Sequence, residues 1–74
     1  NGQQMQNTTA DQMIYSIAAQ ISYASHLYEL QPGDIIATGS PDGTGGSRTP
    51  KRYLQEGDLL EIAVSGIGLL QNNI

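Results

Sequence analysis

The chain has 74 residues, a net charge of −4 and no cysteine, so it can form one small domain with a thin core and no disulfide. Its three basic residues, Arg48, Lys51 and Arg52, lie in one loop, which argues against nucleic acid as a partner. No apolar run approaches the roughly 20 residues that cross a bilayer, and no signal peptide is visible. We therefore expect no membrane partner, a cytoplasmic location, and stabilisation by association into a homo-oligomer.

The first predicted element is a strand over residues 3–6, because Asn1-Gly2 is typical of a hairpin turn. The strand before that turn is not in the sequence, so we expect residue 1 to lie inside a longer parent protein. A helix over residues 10–27 follows, capped by the Thr9 hydroxyl while Gln12 reaches back to the Thr9 backbone. Its apolar residues recur at spacings of three and four. They are Met13, Ile14, Ile17, Ala18, Ile21, Ala24 and Tyr28.

A seven-residue pattern then occurs twice. Leu30–Ile36 has the sequence LQPGDII, and it returns as LQEGDLL over residues 54–60. The glycine of each copy permits positive φ, so each copy predicts a tight turn followed by a buried strand. We expect Asp34 and Asp58 to close these turns by accepting backbone N–H groups, rather than to bind metal.

The predicted strands cover residues 34–38, 59–64 and 67–74, with a hairpin turn at Ser65-Gly66. The fold class is therefore α+β, mainly β with one α-helix. Residues 39–52 form one long stretch rich in glycine and proline, and a loop of this length is more often functional than idle.

Few residues are candidates for catalysis or metal binding. The acidic residues form no closely spaced pair of the Asp-x-Glu type that is typical of a divalent-cation site, so no metal site is predicted. His26, the only histidine, falls at the helix C-terminus, where it complements the macrodipole and has no nucleophile to serve. The glycine-rich loop lacks the Lys-Ser/Thr ending of a phosphate-binding loop.

Thr38-Gly39-Ser40-Pro41 is the exception, because a strand ends there in a glycine flanked by two hydroxyls. Gly39 would let a ligand approach the backbone, and Ser40 could donate to a carboxylate or enolate oxygen. The alternative is that both hydroxyls satisfy turn amides. Residue chemistry alone favours neither interpretation.

The chain resembles the C-terminal part of the fumarylacetoacetate hydrolase family, and the resemblance spans nearly all 74 residues. It rests on Asn1-Gly2, Met13–Ile17, Leu30–Gly43, Tyr53-Leu54 with Gly57-Asp58, and Gly66-Ile67-Gly68 with Leu70 and Asn72. The resemblance implies a mainly β, usually dimeric enzyme that holds Mg²⁺ or Mn²⁺ through carboxylates. Members cleave, decarboxylate or isomerise 2-oxo and 1,3-dicarbonyl acids.

The family's Thr-Gly-Thr-Pro motif matches Thr38-Gly39-Ser40-Pro41. The resemblance therefore implies that Ser40 contacts substrate, with Gly39 in support and Thr38 completing the motif.

The family's metal-binding carboxylates, catalytic lysine and His-Glu pair lie upstream of the segment represented here. We therefore expect residues 1–74 to be one partial domain, with no catalytic or metal-binding residue of its own and no activity alone. The alternative is a free-standing, truncated small protein that serves as a structural or binding module and self-associates.

Overall fold

The computed structural model describes residues 1–74 and contains one helix and one sheet. Helix α1 covers Ile17–Leu27, and strands β1 (Leu59–Val64) and β2 (Gly68–Asn73) form a two-stranded antiparallel sheet. Short 3-10 turns cover Ala10–Gln12 and Gly45–Ser47. The predicted α+β class is confirmed. The one α-helix is too short to cross a membrane.

The chain divides into two compact units. One unit combines Asn1–Gln6 with Asp42–Ile74 and contains the sheet, and the other covers Asn7–Pro41 and contains α1. We call them the hairpin unit and the helix unit. Neither unit has a fully buried apolar side chain. The chain length predicted a thin core, and the structure contains no closed core.

The hairpin confirms two predicted strands. Ile62 pairs with Leu70 and Val64 with Gly68. The chain reverses in a turn in which the Ile67 N–H donates to the Val64 carbonyl at 3.1 Å. Because opposed residues share a face, Ile62, Val64 and Leu70 form one apolar face with Leu60, and the first three are 47–57% exposed.

Residues 3–6 form no strand, so that prediction is wrong. The Asn1 side chain instead binds the start of β1: its Nδ2 donates to the Asp58 carboxylate at 2.7 Å, and its Oδ1 accepts from the Leu59 N–H at 2.8 Å. A strand needs a neighbouring strand to pair with its backbone groups, and the only sheet pairs β1 with β2.

The predicted helix start is also wrong, because α1 begins at Ile17 rather than at residue 10. Its N-cap is Ser16, whose Oγ accepts from the Ala19 N–H at 3.1 Å. The Thr9 hydroxyl donates to the Asp11 carboxylate instead, and this bond holds the Asp11 pKa below its ordinary value. The Thr9 hydroxyl accepts no backbone N–H as a cap, and residues 10–12 make only a 3-10 turn.

The helix ends as predicted at Leu27, with His26 in its last turn. The imidazole Nδ1 lies 2.6 Å from the Ser22 carbonyl. His26 therefore interacts with its own helix, as its position at the C-terminus indicated.

Both copies of the repeated turn form as predicted. The Gln31 N–H donates to the Asp34 carboxylate at 2.8 Å, and the Gln55 N–H donates to the Asp58 carboxylate at 2.9 Å. Gly33 and Gly57 adopt φ of +94° and +91°. The two aspartates are turn-closing residues.

The strand predicted over residues 34–38 is absent, and this prediction is wrong in burial as well. No strand pairs with this segment, and Ile35 is 94% exposed. Its apolar, β-branched composition favours an extended chain but cannot supply a second strand.

Candidate functional site

The helix unit contains a cleft of about 580 Å³. Three short stretches line it: residues 8–10 with Gln12, the Met13–Tyr15 segment before α1, and Thr38–Pro41. Gln20 on the first turns of α1 completes the wall. The structure therefore brings all three predicted substrate-binding residues, Thr38, Gly39 and Ser40, to one cavity.

The hydroxyls of Thr38 and Ser40 make no hydrogen bond to another residue of the chain. They do not satisfy turn amides, which was the alternative that residue chemistry left open. Both residues are exposed, so their hydroxyls can donate to or accept from a ligand.

Gly39 lies between the two hydroxyls with φ of +97°, and nothing lies within 4 Å of the place where a Cβ would stand. An L side chain would be strained at this φ. The positive φ therefore explains the glycine, and the open space beside it leaves the backbone approachable.

The Met13–Tyr15 segment forms an apolar stretch of the cleft wall, in contrast to the hydroxyls of Thr38 and Ser40. Met13 is half-buried, and Gln20 holds the segment through its amide: Nε2 donates to the Tyr15 carbonyl at 2.9 Å and lies 3.3 Å from Met13 Sδ. Gln20 is not among the residues of the predicted apolar stripe, and no role was predicted for it. The available signal was its position four residues after Ser16, within reach of the residues that precede the helix.

No charged residue lines the cleft. The basic cluster predicted in the loop belongs to the hairpin unit, where Arg48 donates to the Gly43 carbonyl at 3.0 Å and to the Met5 carbonyl at 2.5 Å. Arg52 lies 3.9 Å from the Asp58 carboxylate. These contacts give both arginines structural roles.

The carboxylates of the chain do not fit the Mg²⁺ or Mn²⁺ that the resemblance implies. No group of three or more His, Asp or Glu side chains comes together, whereas such ions need several converging oxygens. Asp34 and Asp58 accept turn amides, and Glu61 accepts from Gln71 Nε2 at 2.7 Å. No metal-assisted step can therefore be assigned to these residues.

Comparison with known proteins identifies the class. The sequence profile described as fumarylacetoacetate (FAA) hydrolase C-terminal matches residues 1–74, and the chain belongs to that family. It is 43% identical over 75 residues to a Dictyostelium discoideum fumarylacetoacetate hydrolase domain-containing protein 2 homolog, covering 100% of the chain and 25% of the relative. The resemblance predicted from the motifs is confirmed.

Two further relatives carry names that state an activity. Oxaloacetate tautomerase YisK of Bacillus subtilis is 43% identical over 74 residues, covering 100% of the chain and 25% of that protein. The 2,4-didehydro-3-deoxy-L-rhamnonate hydrolase of a Sphingomonas species is 36% identical over 75 residues, covering 100% of the chain and 26% of that protein. The chain thus spans about a quarter of the length of these relatives. No solved structure matches it significantly.

Proposed function

We propose that this chain supplies part of the substrate pocket of a hydrolase, isomerase or decarboxylase that acts on 2-oxo or 1,3-dicarbonyl acids. Family membership supports the enzyme class, and the names of the relatives support acids of this kind. The observation that carries the proposal is the pair of unpartnered hydroxyls, Thr38 and Ser40, on the wall of the 580 Å³ cleft.

Ser40 is the residue we assign to the acid. Its hydroxyl can donate to a carboxylate or enolate oxygen, and Gly39 leaves the adjacent backbone open to the same ligand. Serine has the donor of the family's threonine without its methyl group, so its χ1 is less restricted. Thr38 offers a second hydroxyl at the same edge of the cleft.

A divalent cation, Mg²⁺ or Mn²⁺, remains part of the proposal, but its ligands would have to be other residues of the enzyme. The carboxylates described above are engaged in turns and in the sheet, and none lines the cleft. We therefore propose that the 74-residue chain alone does not turn over oxaloacetate in the presence of either ion. Turnover above the buffer rate would contradict this.

A hybrid enzyme tests the role of the cleft. The 74 matching residues of the Bacillus subtilis tautomerase are replaced by this chain, and oxaloacetate tautomerisation is measured. We expect the hybrid to be active. Ser40→Ala should lower kcat/KM about tenfold or more, because a hydrogen bond to a charged group contributes about 1.5–3 kcal/mol.

The matched control is Ser25→Ala, whose hydroxyl donates to the Ser22 carbonyl within α1 and lies outside the cleft. Ser40→Thr, which restores the family's residue, should retain activity. Equal activity of the Ser40→Ala and Ser25→Ala hybrids would overturn the assignment of Ser40, and a folded but inactive parent hybrid would overturn the proposed function.

A self-associating module is the second candidate, and the apolar face of the hairpin favours it. Leu60, Ile62, Val64 and Leu70 share that face, with the last three about half exposed, and such surfaces drive pairing. We propose that the chain forms a homo-oligomer. Small-angle scattering should give a radius of gyration above the roughly 11 Å of a compact monomer, and Ile62→Lys should reduce the associated fraction. A monomer at that radius would contradict the proposal.

A further inference from the structure

Gln20 links the first turns of α1 to the segment that precedes the helix. Its amide nitrogen Nε2 lies within hydrogen-bond distance of two acceptors, the Tyr15 carbonyl at 2.9 Å and the Met13 sulfur at 3.3 Å. Side chains on a helix lean toward its N-terminus, which brings residue 20 back over residues 13–15. Gln20 is also one of the few half-buried residues of the helix unit.

Ser16, the residue that follows this segment, is held by hydrogen bonds at the start of the helix. The Ser16 Oγ accepts from the Ala19 N–H at 3.1 Å, and the Gln20 N–H donates to the Ser16 carbonyl at 3.0 Å. The backbone of residue 16 is thus fixed by the cap, whereas the carbonyl of residue 15 depends on the Gln20 side chain. Without that side chain, no hydrogen bond joins Met13–Tyr15 to α1.

We propose that Gln20 is a positioning residue, which holds the Met13–Tyr15 wall of the cleft and thereby sets the affinity of the cleft for its acid. The inference rests on the proposed function for the identity of that ligand. Gln20 needs no direct contact with the acid. Gln20 would affect binding indirectly, because a displacement of the wall by about 1 Å weakens the contacts of a bound ligand.

The first measurement uses the 74-residue chain without ligand. Gln20→Leu removes both donors at similar size, and Gln31→Leu is the matched control, because the Gln31 side chain makes no hydrogen bond in the structure. NMR should show altered Met13 methyl and Ser16 amide shifts in Gln20→Leu alone, with helical circular dichroism equal in both variants. Unchanged shifts in Gln20→Leu would overturn the inference.

The second measurement uses the hybrid enzyme. Gln20→Leu should raise KM for oxaloacetate about fivefold with kcat within about twofold, as the loss of one neutral hydrogen bond that supports binding predicts. A residue that merely stabilised the fold would lower the amount of active enzyme and leave KM unchanged.

The outcomes separate the two proposals. An active, Ser40-dependent hybrid in which Gln20→Leu and Gln31→Leu have the same KM overturns the role of Gln20 alone. An inactive parent hybrid, or one insensitive to Ser40→Ala, contradicts the proposed function and, with it, the inference that rests on it.

Discussion

The two Gly-Asp turns of this chain have the same local structure and lead to different outcomes. Gly33 and Gly57 differ by only a few degrees in φ, and Asp34 and Asp58 each accept the N–H three residues before them. The second turn leads into a paired strand, whereas the first leads into a segment that belongs to no helix or strand.

The turn is therefore encoded by neighbouring residues, whereas the strand is not. The positive-φ glycine, the aspartate and the N–H that the aspartate accepts all lie within four consecutive residues. A strand also requires a neighbour, and β1 finds β2 across the short turn at Val64–Ile67. After residue 38 no returning strand follows, so the first segment remains unpaired.

This difference is also where the proposed function lies. The unpaired segment ends in Thr38 and Ser40, whose hydroxyls remain available on the cleft wall. The paired segment ends in Val64, and its backbone is committed to the sheet. The same turn is thus followed by the proposed binding edge in one unit and by a hairpin in the other.

Among the tests of this difference between the two segments, proline substitutions should have the largest effect. The Ile74 N–H donates to the Asp58 carbonyl, and the alternation of an antiparallel ladder then makes Ile62 and Leu70 a hydrogen-bonded pair. Ile62→Pro should abolish the hairpin, because it removes a ladder donor from a sheet of only two strands. Cross-strand NOEs between β1 and β2 measure this.

The matched variant is Ile36→Pro, whose N–H makes no hydrogen bond in the structure. It should leave the cross-strand NOEs of the hairpin intact. Loss of the hairpin in Ile36→Pro, or its survival in Ile62→Pro, would show that the two segments do not differ in pairing as described.

Alanine at the two turn glycines should have the next largest effect. Nothing lies within 4 Å of a Cβ at Gly33 or Gly57, so the cost is that of positive φ alone, about 1–2 kcal/mol for an L residue. Gly57→Ala should therefore reduce the ratio of hairpin to open chain about 5- to 30-fold. Gly33→Ala should weaken only the turn that Asp34 closes.

D-alanine in place of Gly57 is the control, because a D residue favours positive φ. NMR populations of the hairpin should fall in the order glycine and D-alanine, then L-alanine. Equal loss with both alanine enantiomers would show that the space around residue 57, rather than its φ, controls the turn.

Features encoded over a few residues could be predicted from the sequence. Both turns, the pairing of β1 with β2, the helix end near His26 and the motif at Thr38–Ser40 depend on neighbouring residues, and the structure contains each of them. The family resemblance could be predicted too, because it rests on short motifs in a fixed order.

Features that depend on competition or on a distant partner could not be predicted. Thr9 and Ser16 are equally good caps by type, but only the Ser16 hydroxyl accepts a backbone N–H as a helix cap. The strand at 34–38 failed because composition cannot reveal whether a neighbour is present. Gln20 was missed because its importance comes from a cleft that exists only after folding.

The smallest expected effect concerns pH and the carboxylate of the second turn. Asp58 accepts from Asn1 Nδ2 and from the Gln55 N–H, and Arg52 lies nearby. The Asn1 hydrogen bond, followed by that of Gln55, holds the pKa of Asp58 below its ordinary value of 3.8. Asp34, at the same place in the first turn, accepts only from Gln31.

A lowered pKa in the folded chain means that ionised Asp58 stabilises the hairpin above pH 3.8, and that this contribution disappears as pH falls through the lower, folded value. We expect the Gln55 amide shift and the hairpin NOEs to change together as pH falls from about 5 to about 2. Asp58→Asn retains an acceptor but cannot titrate, so its Gln55 amide should not follow pH. Asn1→Ala should move the transition to higher pH, because it removes the largest contribution to the shift. A transition at the same pH in Asn1→Ala would contradict the assignment of the Asn1 hydrogen bond as the largest cause of the lowered pKa of Asp58.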